Sequence, residues 1–222
     1  MKSLFYIFIC FLFFSMIQSK KSKVIFFGDS ITQAGVEKGG YINLIGSLCK
    51  SENKAGAFEF EGAGIGGDKI YDLYLRLQKD VLDKKPDIVV VYIGVNDVWH
   101  KSMFGTGSDP DKFEKFYQAI IDKLKAAGIK LILCTPAVIG EKTDFSNPQD
   151  GDLNAYSNSV HKIVNTNNLT LVDLRKAFLD YNFVNNRANV EKGILTTDRV
   201  HLNAKGNLLV AQEIWSKLKF IQ

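Results

Sequence analysis

Two apolar runs in this chain, Val89-Val90-Val91 and Leu131-Ile132-Leu133, show no alternation of apolar and polar residues. A strand with one face in water alternates with a period of two, whereas a strand that is apolar on both sides needs helices over both faces. That is the situation of a parallel sheet in an α/β protein. The two runs belong to a repeating pattern: β-rich segments at residues 24–27, 87–93, 130–134 and 169–173, with a weaker fifth at 58–61, are each followed by turn residues and then by helical spacing. Helical periodicity covers residues 41–51, 68–82, 111–127, 152–167 and 203–218. In the third of these, Phe113, Phe116, Tyr117, Ile120, Ile121 and Leu124 form one apolar stripe that Gly128 brings to an end. Strand and helix alternating through short right-handed crossovers predict a three-layer α/β/α sandwich on a mostly five-stranded parallel sheet, with ligands beyond the carboxyl ends of the strands. No repeat or low-complexity linker divides the chain from residue 20 onward, so 20–222 is expected to be one domain.

A length of 222 residues suits one such domain rather than two. Hydrophobic residues at 46% and charged residues at 23% exclude a disordered chain, and a net charge of +4 spread without a basic stripe gives no expectation of a nucleic-acid partner. The N-terminus departs from that average: Lys2 precedes an apolar run at residues 4–17, then the small Ser19, then Lys20-Lys21. A spanning helix needs about 20 apolar residues. A secretory signal over residues 1–19 is therefore expected, giving a secreted or periplasmic protein with no stable membrane insertion after cleavage; an uncleaved anchor is the alternative. Cys49 and Cys134 remain in the mature chain, either paired in an oxidising compartment or serving as two small buried residues.

The first strand runs directly into Gly28-Asp29-Ser30-Ile31-Thr32, which places the Ser30 hydroxyl and N–H where this architecture keeps its reactive groups. A lone serine is a weak nucleophile and needs a base. Near the other end of the chain, Asp198 and His201 are three residues apart in Thr197-Asp198-Arg199-Val200-His201-Leu202-Asn203. On a tight turn that spacing lets the carboxylate accept from Nδ1 and leaves Nε2 as base. Donors for an oxyanion are available from Gly62-Ala63-Gly64-Ile65-Gly66-Gly67, opening one helix, and from Asn96 in Gly94-Val95-Asn96-Asp97.

With these four blocks in this order, the chain resembles the SGNH (GDSL-type) hydrolase superfamily, across nearly the whole mature sequence. The resemblance implies a flavodoxin-like sheet and an esterase or lipase-type enzyme working through an acyl-enzyme. It implies Ser30 as nucleophile, His201 as base and then acid, and Asp198 as the partner that orients the histidine. The Ser30 N–H, the Gly67 N–H and the Asn96 side chain would form the oxyanion hole, with Gly64 the second choice of glycine, and Asp29 and Asp97 would be structural. No metal or organic cofactor is implied. Gly62 departs from the pattern, standing where many members have asparagine.

Segments 99–110 and 136–150 follow strands and are expected to form walls or lids of the site, with Trp99, His100, Phe104 and Phe145 as candidate substrate contacts. The expected substrate is a short-chain acyl or acetyl ester, or an acetylated carbohydrate; the alternatives are a lysophospholipase or thioesterase, and a non-catalytic ligand-binding module on the same fold. A dinucleotide site is the weaker rival. Gly62, Gly64 and Gly67 match G-x-G-x-x-G, but Asp87 begins the following strand instead of ending it. Asp29, His161 and His201 lack the spacing of a metal site.

Overall fold

The structure, a computed structural model, describes residues 20–221. Five strands, β1 (Ser22–Gly28), β2 (Phe58–Gly64), β3 (Ile88–Tyr92), β4 (Lys130–Cys134) and β5 (Thr170–Val172), form one parallel sheet in the order β2-β1-β3-β4-β5. The connecting helices are α1 (Ser30–Gly35), α2 (Tyr41–Ser51), α3 (Ile70–Asp80), α4 (Val95–Phe104), α5 (Pro110–Ala126), α6 (Asp150–Asn167), α7 (Leu174–Asn185) and α8 (Ala204–Leu218). In one outer layer α3 packs on α5 and α5 on α6; in the other, α2 packs on α8. The sandwich expected from the non-alternating strands is therefore present. Val24 to Phe27 in β1, all of β3, and Leu131 to Cys134 in β4 are buried, as strands covered on both faces must be.

Three helices were not legible in the sequence. α1 is one and a half turns long, too short to show a period. α4 was expected as a loop, and it carries Trp99, His100 and Phe104; Gly94 at φ 120° starts it with no side-chain cap, so the usual opening signal is missing. α7 is capped by Asp173, whose side chain accepts from the Lys176 N–H, a residue that the sequence places at the end of the last strand. The expected signal at residues 1–19 lies outside the described residues. Among the described residues no helix is long and apolar enough to cross a membrane. Cys49 and Cys134 are both buried and unpaired with each other.

Gly64 closes β2 where the strand presses on the first turn of α1. A Cβ there would lie 2.1 Å from the Gln33 nitrogen and 2.7 Å from the Asp29 carbonyl oxygen, both backbone atoms that cannot rotate away. Gly64→Ala is expected to destabilise the fold by about 3 kcal/mol through overpacking, read as a lowered urea midpoint; an unchanged midpoint would refute this close contact.

Candidate active site

The sheet register sets the ends of the strands level. Gly28 pairs with both Gly64 and Tyr92, Tyr92 with Cys134, and Cys134 with Val172. Ser30 leaves β1 and Asn96 follows β3, on the two sides of the point where the strand order reverses and a crevice must open. Asp29 caps α1, its Oδ1 accepting from the Ile31 N–H at 3.0 Å. Ser30 is the first residue of that helix, so its own N–H has no intrahelical acceptor and remains a donor. Burial pushes the Asp29 carboxyl up to about 7, against the pull of the Ile31 N–H and of His201, with Asp97 and Asp68 adding to the rise.

The histidine stands on the turn before α8. His201 Nε2 lies 3.0 Å from Ser30 Oγ, and His201 Nδ1 lies 2.6 Å from Asp198 Oδ2. A carboxylate can only accept, so Nδ1 carries the ring proton and Nε2 accepts from the serine hydroxyl. Asp198 Oδ1 also accepts from the N–H groups of Val200 at 3.1 Å and His201 at 2.8 Å, which fixes the carboxylate on the turn. Arg199, at φ 91°, supplies the reversal that lets one side chain reach both amides. Burial raises the Asp198 carboxyl, but the bonds from the His201 ring and the two amides outweigh it and hold the group below its ordinary value. The Asp198 and His201 side chains are 48% and 40% exposed, so the pair lies at the surface.

The third part of the site is the loop between β2 and α3. Gly67 has φ 81°, a left-handed conformation that glycine adopts without strain. Asn96 is buried, and its Nδ2 donates to the Asp68 carbonyl at 3.1 Å, which leaves the second amide hydrogen for another acceptor. Asp97 ties the same loop from below: its carboxylate accepts from the Ile70 N–H that opens α3. Burial raises Asp97 to about 6, opposed by Ser108 and by that N–H. Arg76, which the sequence did not single out, braces the whole edge. Its Nη2 donates to the Gly28 carbonyl at 2.8 Å and its Nη1 to the Ala63 carbonyl at 3.0 Å, while Nε pairs with Asp68 at 2.7 Å. The guanidinium also lies over the Phe27 ring, 4.5 Å from its centre. One side chain on α3 thus joins the ends of β1 and β2 to the Gly67 loop. Nothing in an amphipathic helix pattern distinguishes such an arginine from a solvated one.

The remaining candidates divide. Trp99 stands edge to face with the His201 ring at 6.2 Å. A methyl placed on Gly67 would lie 3.6 Å from His100 Cε1, so His100 faces the glycine loop, and Phe104, exposed at the end of α4, meets the His100 ring edge to face at 5.4 Å. Phe145 is not brought to the serine; it lies beside Leu179 and Phe183 along another groove. The first part of segment 136–150, expected as a wall or lid, is held in the body of the protein. Ala137 to Glu141 are buried, and the Gly140 N–H donates to the Arg199 carbonyl at 2.9 Å, underneath the histidine turn. His161, on α6, pairs with Asp173 at 2.9 Å. At Gly62 a Cβ would lie 2.4 Å from Val36 Cγ1, so an asparagine there would require Val36 to move.

Comparison with known proteins gives a consistent outcome. The GDSL-like Lipase/Acylhydrolase family model matches residues 26–209. The solved structure of an acetyl xylan esterase, AlAXEase, is 62% identical with a TM-score of 0.86, and the match covers 87% of this chain and 98% of that one. An acetylxylan esterase of Geobacillus stearothermophilus is 26% identical over 214 residues, 89% of this chain and 94% of the relative. The uncharacterized lipoprotein YqeF of Bacillus subtilis (strain 168) is 24% identical over 216 residues, 86% of this chain and 87% of the relative.

The raised Asp29 carboxyl has a measurable consequence. The folded protein holds this proton more tightly than the unfolded chain, so the group's contribution to stability is complete below about pH 4 and is lost as the pH rises through about 7. Asp29→Asn keeps the oxygen that caps α1 and removes the charge. Its stability relative to wild type should therefore rise between pH 4 and pH 7 and level off above, in urea unfolding followed at several pH values. A difference independent of pH would contradict the assignment.

Proposed function

This chain belongs to the GDSL-like Lipase/Acylhydrolase family, and on that premise we propose that it removes acetyl groups from an acetylated carbohydrate, with Ser30 as nucleophile and His201 and Asp198 as its base and orienting partner. Membership makes the chain an ester hydrolase. The observation that carries the assignment of roles is the continuous path of short contacts from Asp198 through His201 to Ser30 Oγ, at 2.6 and 3.0 Å, at the head of the sheet.

In this mechanism the Ser30 Oγ forms a bond to the ester carbonyl carbon while its proton passes to His201 Nε2. The carbonyl π pair moves onto the oxygen, which receives hydrogen bonds from the Ser30 N–H, the Gly67 N–H and the free hydrogen of Asn96 Nδ2. Collapse of that oxyanion expels the sugar alkoxide, to which His201 returns the proton. A water molecule then gives a proton to His201 and adds to the acyl carbon; collapse of this second oxyanion breaks the bond to Ser30 Oγ, which takes the proton back from His201 Nε2 as acetate leaves. Asp198 keeps its charge throughout and stabilises the protonated ring.

The acetylated-carbohydrate reading is supported by the acetylxylan esterases among the relatives and by the openness of the site: Ser30 is half-buried and the histidine-aspartate pair is at the surface, where a sugar that is part of a chain can reach it. Trp99 and His100, one beside His201 and one facing Gly67, close the space next to the acyl carbon and limit it to a short acyl group; Phe104 extends this wall outward. Export belongs to the same reading, with residues 1–19 as the signal and 20–222 as the hydrolase domain. The polymeric substrate would then be met outside the cell, and the lipoprotein relative is in keeping with that.

Acetate release from acetylated xylo-oligosaccharides, alongside p-nitrophenyl esters from acetate to palmitate, tests the proposal. Turnover should be highest on acetate and fall by roughly 10³-fold or more in Ser30→Ala and by about 10²-fold in Asn96→Ala. An optimum at long chains would transfer the enzyme to the lipolytic class. In Trp99→Ala the ratio of butyrate to acetate hydrolysis is expected to rise; an unchanged ratio removes Trp99 from the acyl pocket.

A further inference from the structure

We propose that Glu141, a buried carboxylate on the loop after β4, is a positioning residue for the general base, acting through the backbone of residues 194–196. The proposal rests on His201 being that base. Glu141 is 1% exposed, and its charge is met by three successive backbone amides. Oε1 accepts from the N–H groups of Leu195 at 2.6 Å and Thr196 at 2.8 Å, and Oε2 from the N–H of Ile194 at 2.8 Å. Charge-assisted bonds of this length are strong and directional, and a carboxylate placed in the interior requires them.

Those three amides form one leg of a hairpin whose tip is the catalytic turn. Thr196 bridges Leu202 across the hairpin, and the Thr197 N–H donates to the His201 carbonyl at 2.8 Å. The legs hold each other, so the hairpin is rigid within itself, but its tilt toward Ser30 must be set from outside. Residues 140 and 141 set it at two levels. Glu141 grips the leg, and the Gly140 N–H bonds the Arg199 carbonyl at the tip, at 2.9 Å. The loop that carries them is itself anchored. It leaves β4 at Cys134, level with the end of β3, and the Glu141 carbonyl accepts from Asn186 Nδ2 at 2.6 Å on the far side. A rigid path therefore leads from the sheet that positions Ser30 to the hairpin that positions His201, and the Glu141 carboxylate is the joint between its two halves.

Glu141→Gln keeps the size of the side chain, but the amide nitrogen must then face a backbone N–H, donor against donor, and one end of the grip is lost. A shift of the histidine by a fraction of an ångström to about 1 Å is enough to cost up to about 10²-fold in turnover. The expected result for Glu141→Gln is a fall in kcat of roughly 10- to 100-fold on an acetyl ester, with KM within about twofold of wild type. The far-downfield NMR signal of the proton between Asp198 and His201 should broaden or move with it. Ile120→Val, a core change in α5 remote from the hairpin, should leave both readings unchanged. If Glu141→Gln does not fold by circular dichroism, Asn186→Ala, which frees the loop while leaving the carboxylate intact, should show the same pattern at smaller amplitude. A folded Glu141→Gln, or in its place Asn186→Ala, with wild-type kcat and an unmoved downfield proton overturns the proposal, as does a rise in KM at constant kcat. Because the proton signal does not depend on turnover, inactivity of the wild type toward every ester would count against the functional reading while the clamp is still judged by the signal.

Discussion

The site depends first on the register of the parallel ladder. Because Gly28, Gly64 and Tyr92 stand level across β1, β2 and β3, the three segments that follow them begin at one height and must converge. Parallel strands bonded this way have little freedom to slip: moving β1 by one residue would turn its buried run, Val24 to Phe27, against the wrong helical layer. The apolar core that fixes the register therefore also fixes where Ser30, Gly67 and Asn96 meet. Polar tethers then refine what the core provides. Asp29 caps the helix that carries Ser30, Asn96 bonds the Asp68 carbonyl, and Arg76 draws the ends of β1 and β2 onto the glycine loop.

The serine and the histidine are 171 residues apart in sequence and are held by different means. The serine half rests on the sheet directly. The histidine half is a surface hairpin and reaches the sheet through the loop after β4 and through α8, whose first turn Asn203 caps with two hydrogen bonds. Acids serve both halves with unlike electrostatics. Asp29 and Asp97 sit below the crevice, where burial outweighs the donors that reach them and raises both. Asp198, out at the surface with three donors of its own, is held below its ordinary value and keeps its charge beside the histidine. Environment alone shifts the two sets of carboxyls in opposite directions.

Much of this was readable from the chain. Strands covered on both faces leave an unbroken apolar signature, so β3 and β4 were located to within a residue or two, and the amphipathic α5 nearly as well. The four short blocks marked Ser30, the glycine loop, Asn96 and the Asp198–His201 turn because each follows a strand or opens a helix. What escaped was structure whose cause lies elsewhere in the chain. α4 opens at Gly94 with no side-chain cap to mark its start, so Trp99 and His100 were read as loop residues. Segment 136–150 suggested a wall or lid because long connections after strands often form one, and only tertiary pairing shows that Gly140 and Glu141 within it are bonded to residues 191–199. Arg76 and Glu141 carry no local sign at all: an arginine within a helix and a glutamate after a glycine acquire meaning only from the carbonyls and amides that the fold brings to them.

The central claim is that Ser30 is the group that accepts the acyl carbon, and covalent labelling addresses it most directly. The purified protein treated with a fluorophosphonate, digested and read by mass spectrometry, should carry the adduct on Ser30, and neither Ser30→Ala nor heat-unfolded protein should take it up. An adduct on another residue, or a folded and ester-cleaving protein in which Ser30 stays unmodified, would contradict the account.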